Sequence, residues 1–234
     1  MDSTTTFTFN PLDGIVKATN KISVDCILLI MNCQKYRYKA LIQQQNWLEN
    51  FTLMPYFHVI GNIDLEVDHL FDHTEKILYV KVADDYNSLP KKVITAYNAI
   101  YQEYSFKYIF KTDDDQLLTD IHFLFAIQNK LINNVTEINK IHYGGDVVNV
   151  DKPYLSQYYK IHPELPEYLP VLQTKYCSGR FYFLSNVAIE YLLMKINLIG
   201  KEYLEDYAIG FYLDISLKTN ILHLPTNKYF IDIV

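Results

Sequence analysis

The stretch Lys107-Tyr108-Ile109-Phe110-Lys111-Thr112-Asp113-Asp114-Asp115 decides the reading of this chain. It begins as a short apolar strand and ends on three consecutive carboxylates. Just before it, Val93, Tyr97, Ile100 and Tyr104 recur at helical spacing, which predicts an amphipathic helix. Ser88 stands at that helix's N-cap position, and Pro90 is tolerated in the first turn. Further upstream, the apolar run Val24 to Ile30 has the length of a strand buried on both faces, as in a helix-covered parallel sheet. Between the two lie a helix from about Tyr36 to Glu49, offering Ala40, Leu41, Trp47 and Leu48 to one buried side, and strands over Tyr56 to Ile60 and Ile77 to Val82.

Beyond the triplet, Thr119 or Asp120 caps a helix reaching about Lys130. Strands follow over His142 to Val150 and Cys177 to Leu184, separated by a loop rich in Pro and Tyr. Helices are expected over Asn186 to Asn197 and Glu205 to Leu217. Strand–helix alternation with short links predicts an α/β layered fold. Residues 1–20 read as a loosely ordered lead-in and 21–234 as a single domain.

In open α/β sheets, ligands bind beyond the carboxyl ends of the strands, and the triplet stands at such an end. Three adjacent carboxylates repel one another by roughly 1 kcal/mol per close pair even in water-like surroundings, so a cation is called for. Hard oxygen ligands favour magnesium or manganese, which keep positions open for phosphate oxygens. In extended backbone, Asp113 and Asp115 face one ligand while Asp114 turns to the other side. A solvated acidic turn is the competing reading. A D-x-D-x-T/V phosphoryl-transfer motif is disfavoured, because Leu117 occupies the Thr/Val position.

Composition narrows the function classes. The formal net charge is −6, which argues against a nucleic-acid binder. Twenty-one tyrosines are unusual, and some are expected to line a polar cleft. Cys26, Cys33 and Cys177 contain no C-x-x-C pair and fit neither a disulfide framework nor a zinc site, which points to a reducing compartment. The opening residues lack the order of a signal peptide, and no apolar stretch approaches the ~18 residues of a membrane span. Sequons at Asn50 and Asn134 carry weight only in a secreted protein.

Several blocks in order resemble the β-1,3-galactosyltransferase, β-1,3-N-acetylglucosaminyltransferase and Fringe-like family. They are Ile27-Leu28-Leu29-Ile30 with Arg37 and Trp47, then Asp84 to Lys92, then Lys111-Thr112-Asp113-Asp114-Asp115. Tyr143-Gly144-Gly145, the loop Pro153 to Lys160, Tyr176 to Ser185 and Glu205-Asp206-Tyr207-Ala208-Ile209-Gly210 complete the series. The sequence departs from the pattern at Gln43 to Gln45, where the family commonly carries a second arginine before the Trp.

The resemblance implies a GT-A fold, a Rossmann-like mixed sheet flanked by helices, and an inverting transfer of a hexose or N-acetylhexosamine. The donor would be a UDP-sugar held with Mn2+ or Mg2+, and the acceptor a glycan or glycosylated molecule. Asp115 becomes the principal metal ligand, with Asp113 beside it near the uridine ribose. Lys111, Asp114, Arg37, Ser178 and Gly179 fall on the donor side. Asp206 becomes the general base, with Glu205 coupled to it as a neighbouring acid. Family members also supply a metal-binding histidine downstream of the base, a role for which His223 is the candidate; an ordinary half-buried strand histidine is the alternative. Ser178-Gly179 reads either as a close backbone approach to the ligand or as a plain turn. Without the family's anchor and luminal cysteines, the chain reads as a soluble relative or an excised luminal catalytic domain. Two other functions stay open: a non-catalytic nucleotide-sugar or glycan-binding module, and a metal-dependent phosphoryl-transfer enzyme.

Overall fold

A computed structural model describes residues 5–7, 18–133 and 140–233. Its centre is an eight-stranded mixed sheet: β1 Cys26–Met31, β2 Tyr56–Gly61, β3 His69–Asp72, β4 Ile77–Val80, β5 Tyr108–Asp113, β6 Tyr143–Val150, β7 Thr174–Ser185 and β8 Leu222–His223. In space the order is β8-β6-β7-β5-β1-β2-β4-β3. Strands β5, β1, β2 and β4 run parallel, whereas β7 is antiparallel to both β5 and β6. The α/β class and the helix-flanked mixed sheet expected from the sequence are both observed.

All six residues of β1 are buried, and they alternate between two cores. Ile27, Leu29 and Met31 join the residues of helices α2 (Leu89–Glu103), α4 (Asn186–Leu193) and α6 (Glu205–Tyr212). Cys26, Leu28 and Ile30 face the other way, onto Phe123, Leu124, Ile127 and Leu131 of α3 (Ile121–Asn133). This two-sided burial is why the strand reads as an unbroken apolar run. Each fully buried aliphatic side chain contributes about 1.5–3 kcal/mol. Trp47 packs on the second core, edge to face with Phe51 at 5.7 Å, as a structural residue.

Several boundaries differ from expectation for local reasons. Helix α1 spans Arg37–Gln45, four residues short, because the backbone at Asn46 leaves the helical region and its side chain bonds back to the Ile42 carbonyl. Leu41, in the middle of α1, is exposed, not buried. Ser88 makes no side-chain cap; instead the Asp85 carboxylate accepts the Ser88 N–H. Asp120 does cap α3, accepting the His122 N–H at 2.9 Å. The expected helix to Asn197 divides into α4 and a short α5 (Ile196–Ile199), and α6 stops at Tyr212 where Leu213 turns extended. Strand β3 and the pairing of Gln116–Leu118 with Phe230–Asp232 were not foreseen. In the lead-in, Thr5–Phe7 pairs antiparallel with Ala18–Asn20, and the remainder of 1–17 lies outside the described residues, as does Asn134.

Candidate active site

Strand β5 carries the site. On its α6-facing side the period-two pattern aligns Ile109, Lys111 and Asp113. Strand order stops at Asp113; Asp114 and Asp115 form a turn that leads into Gln116–Leu118. The extended alternation predicted for the triplet therefore fails after its first residue. All three aspartates line one cleft of about 710 Å³ at the carboxyl ends of the parallel strands. Asp114 does not turn away but meets Lys39 at 3.7 Å. Its backbone N–H donates to the Met31 carbonyl at 3.0 Å, tying the turn to β1.

Gln43 of α1 fixes the turn from below. It is fully buried, and its amide nitrogen donates to the carbonyls of Asp113 at 3.1 Å and Gln116 at 2.8 Å. The stretch Gln43 to Gln45, which departs from the family pattern, thus contains a clamp on the triplet.

Lys111 is the hub. It is 1% exposed, and its ammonium contacts Asp113 at 2.8 Å, Glu205 at 3.0 Å and the Gly179 carbonyl at 2.8 Å. Its register partner on β7 is Tyr182, whose ring lies 5.4 Å beneath the ammonium. The Tyr182 hydroxyl donates to Glu205 and touches the Tyr97 hydroxyl at 2.7 Å. Glu205 is enclosed by these partners; neither it nor Asp206 is among the residues lining the triplet cleft, and of the two only Asp206 is partly exposed.

Asp206 is held at the start of α6 by two backbone donors, Gly179 N–H at 3.0 Å and Tyr207 N–H at 2.7 Å. The β6–β7 register shifts between Gly145 and Val147, which frees Ser178 to Arg180 from the β6 ladder and aims the Gly179 backbone toward α6. A Cβ added at Gly179 would lie 3.4 Å from the Lys111 ammonium, 3.5 Å from an Asp113 carboxylate oxygen and 3.7 Å from the Asp206 Cβ. Gly179 is thus the point where Asp113, the first residue of the triplet, and Asp206 converge.

Burial governs the proton affinities. It pushes Asp113 up to about 6 against the pull of Lys111, and Asp114 up to about 7 against Lys39. Glu205 and Asp206 are likewise raised by burial, with Lys111 opposing in both. Burial alone would lower Lys111, yet Asp113 and Glu205 outweigh it and the ammonium is held more firmly protonated than usual.

Two expected residues stand apart. Arg37 is absent from the lining of the cleft and pairs at the surface with Glu75 at 3.2 Å. His223, on β8, is three strands from β5, roughly 14 Å at about 4.8 Å per strand. Its exposed ring accepts weakly from the Val147 N–H at 3.4 Å and lies 3.9 Å from Asp146. The structure does not bring it to the triplet. Residues not foreseen in the cleft are Lys35, Tyr36, Lys39, Tyr86, Lys92 and His162. Lys92 is spoken for, donating to Asp84 at 2.6 Å and to the Asn32 carbonyl at 2.8 Å.

Among the described residues no three His, Cys, Asp or Glu side chains are gathered closely enough to enclose a metal by themselves. Two half-buried carboxylates on one cleft, Asp113 and Asp115, do fit a hard cation that fills its remaining positions with water and ligand oxygens. Burial and neighbouring carboxylates make Asp113 and Asp114 costly to ionise unaided, which is the condition a cation relieves.

Fold and site together define a mixed α/β protein with a carboxylate cleft beyond the ends of its parallel strands. The chain belongs to the galactosyltransferase family, whose pattern matches residues 40–224. It is 27% identical over 172 residues to the human UDP-GalNAc:beta-1,3-N-acetylgalactosaminyltransferase 1, covering 72% of this chain and 49% of that protein. The Pongo abelii protein of the same name matches to the same extent. The chain therefore spans about half the length of the curated relatives it matches. A solved glycosyltransferase involved in the glycosylation of the major capsid of PBCV-1 aligns over 75% of this chain and 66% of its own, with 11% identity and a TM-score of 0.39. No helix among the described residues is long and apolar enough to cross a membrane.

Proposed function

We propose that this protein is an inverting glycosyltransferase that moves a hexose or N-acetylhexosamine from a UDP-sugar to a glycan hydroxyl. The observation that carries the reading is the convergence at Gly179, where Asp113 of the triplet and Asp206 approach one buried lysine. The named relatives act with UDP-GalNAc, which supports a UDP-sugar donor here.

In this reading Asp115 and Asp113 would hold Mn2+ or Mg2+, which would supply positive charge for the departing diphosphate. Asp206 accepts the proton from the acceptor hydroxyl as its oxygen bonds to the anomeric carbon; the bond to the phosphate oxygen breaks and its electrons leave with UDP. Burial makes Asp206 a stronger base than a solvated aspartate, while its two N–H donors fix the carboxylate in place. Glu205 neutralises Lys111 and positions it, and takes no proton from substrate. Gly179 and Lys111 transmit geometry between the two halves of the site.

The test is a panel of UDP-sugars scored for manganese-dependent UDP release with and without added glycans. UDP release with sugar appearing on the glycan is the expected outcome. Phosphate cleavage without sugar transfer would favour the phosphoryl-transfer alternative, and UDP-sugar binding without turnover a non-catalytic module.

A further inference from the structure

The segment between β6 and β7 makes an excursion that touches both halves of the site. Its base is a small ladder, Tyr154–Leu155 against Pro170–Val171. That base rests on α6 beside the proposed base residue: Val171 packs with Tyr207, and the Leu172 N–H donates to the Tyr207 hydroxyl at 2.9 Å. Its tip reaches back to the triplet cleft. There the His162 ring stacks on Tyr86 with centroids 4.0 Å apart and planes 9° from parallel. Beside the stack, the Asn87 side-chain amide donates to the Glu164 carbonyl at 3.0 Å. Tyr86, His162 and Glu164 line the same cleft as Asp113, Asp114 and Asp115.

The tip is also internally braced. The N–H groups of Ile161 and His162 both donate to the Tyr158 carbonyl, at 2.9 and 2.8 Å, and Leu165 is buried. A ring held this way is presented at a fixed height over its partner. Tyr86 in turn is half-buried, with its phenol raised to about 12 by burial and then by the charges of Asp206 and Asp113.

We propose that His162 is a positioning residue for the donor: by stacking on Tyr86 it holds the tyrosine as the wall of the nucleotide-sugar cleft, against which the donor is oriented. The inference rests on the UDP-sugar reading given above. It assigns a donor-side role to a residue carried by the excursion that is rooted beside Asp206, so donor binding and the order of that excursion are coupled.

The experiment compares wild type, His162→Ala and His162→Phe. It uses UDP binding with Mn2+ by calorimetry, hydrogen exchange over residues 156–165, and thermal unfolding as a control for folding. An aromatic pair of this kind sets the scale, so His162→Ala should weaken UDP binding roughly three- to tenfold, while His162→Phe stays within about twofold of wild type. Added UDP should slow exchange over 156–165 in wild type and in His162→Phe, but not in His162→Ala. If His162→Ala binds UDP as wild type does, or if UDP leaves exchange over 156–165 unchanged in wild type, the proposal is overturned while the UDP-sugar reading stands. A wild type that binds no UDP with Mn2+ removes the donor reading itself, and this inference with it.

Discussion

Replacing Lys111 by Met removes one ammonium and leaves the Asp113 and Glu205 carboxylates without their shared cation. The contacts at 2.8 Å to Asp113 and 3.0 Å to Glu205 each amount to a gross attraction of about 6 kcal/mol at an effective dielectric of about 20. Most of that offsets desolvation, since Lys111 is 1% and the Glu205 side chain 3% exposed. What truncation costs is the stranded charge, typically about 3–5 kcal/mol, a large part of a domain's usual 5–15 kcal/mol. The Asp113 half counts for less, because its side chain is 31% exposed. Urea unfolding at pH 8 therefore gives a deficit of about 3–5 kcal/mol for Lys111→Met, chiefly from Glu205. Adding Glu205→Gln in the same chain should recover roughly half of it, because the uncompensated buried charge is gone. The deficit should also shrink toward pH 5 as the carboxyls protonate. A loss below about 1 kcal/mol, or a double variant no better than the single, would refute the hub.

Three further outcomes follow from the cleft. Asp114, raised to about 7, binds its proton in the folded state between about pH 4 and 7 while the unfolded chain has released it, so its contribution to metal-free stability falls as pH rises through that window. Asp114→Asn should accordingly be more stable than wild type by about 1–3 kcal/mol at pH 8 without metal, with the gap closing by pH 4; a destabilised variant at pH 8 contradicts the assignment. Gln43→Leu strands two carbonyls of the triplet turn, and should cost about 1–3 kcal/mol in chemical denaturation and weaken Mn2+-dependent UDP binding; normal UDP affinity would remove the clamp from the account. Arg37→Ala breaks only a surface pair, so stability should change by less than about 0.5 kcal/mol and UDP affinity should not change; a tenfold loss of affinity would restore Arg37 to the donor site.

What the sequence made legible was whatever short-range pattern records. Cys26 to Met31 and Tyr108 to Phe110 announce buried strands because both faces of each are covered, and Val93, Tyr97 and Ile100 announce a helix by their spacing, which Tyr104 just outlasts as the extended C-cap. The triplet's place at a strand end was legible too, but the direction of its side chains was not. Alternation holds only within extended backbone, and Asp114 and Asp115 lie in a turn fixed by Gln43, some 70 residues away in the chain. For the same reason Lys111 looked like one motif residue among others: its partners Glu205 and Gly179 are supplied by α6 and by a shifted register on β7. His223 shows the converse, a sequence position after Asp206 that the sheet order separates from the triplet by two intervening strands. The division of labour between Glu205 and Asp206 rests on one turn of backbone, since neighbouring positions on α6 point to different surroundings.

The central claim, that the cleft binds a donor and Asp206 activates the acceptor, meets its most direct test in Asp206→Asn. The measurement is sugar transfer from a UDP-sugar that wild type uses, alongside calorimetric binding of that UDP-sugar with Mn2+. The account predicts transfer reduced by at least about 100-fold, the scale of general-base catalysis, with donor affinity within about threefold of wild type. Full transfer by Asp206→Asn would contradict it.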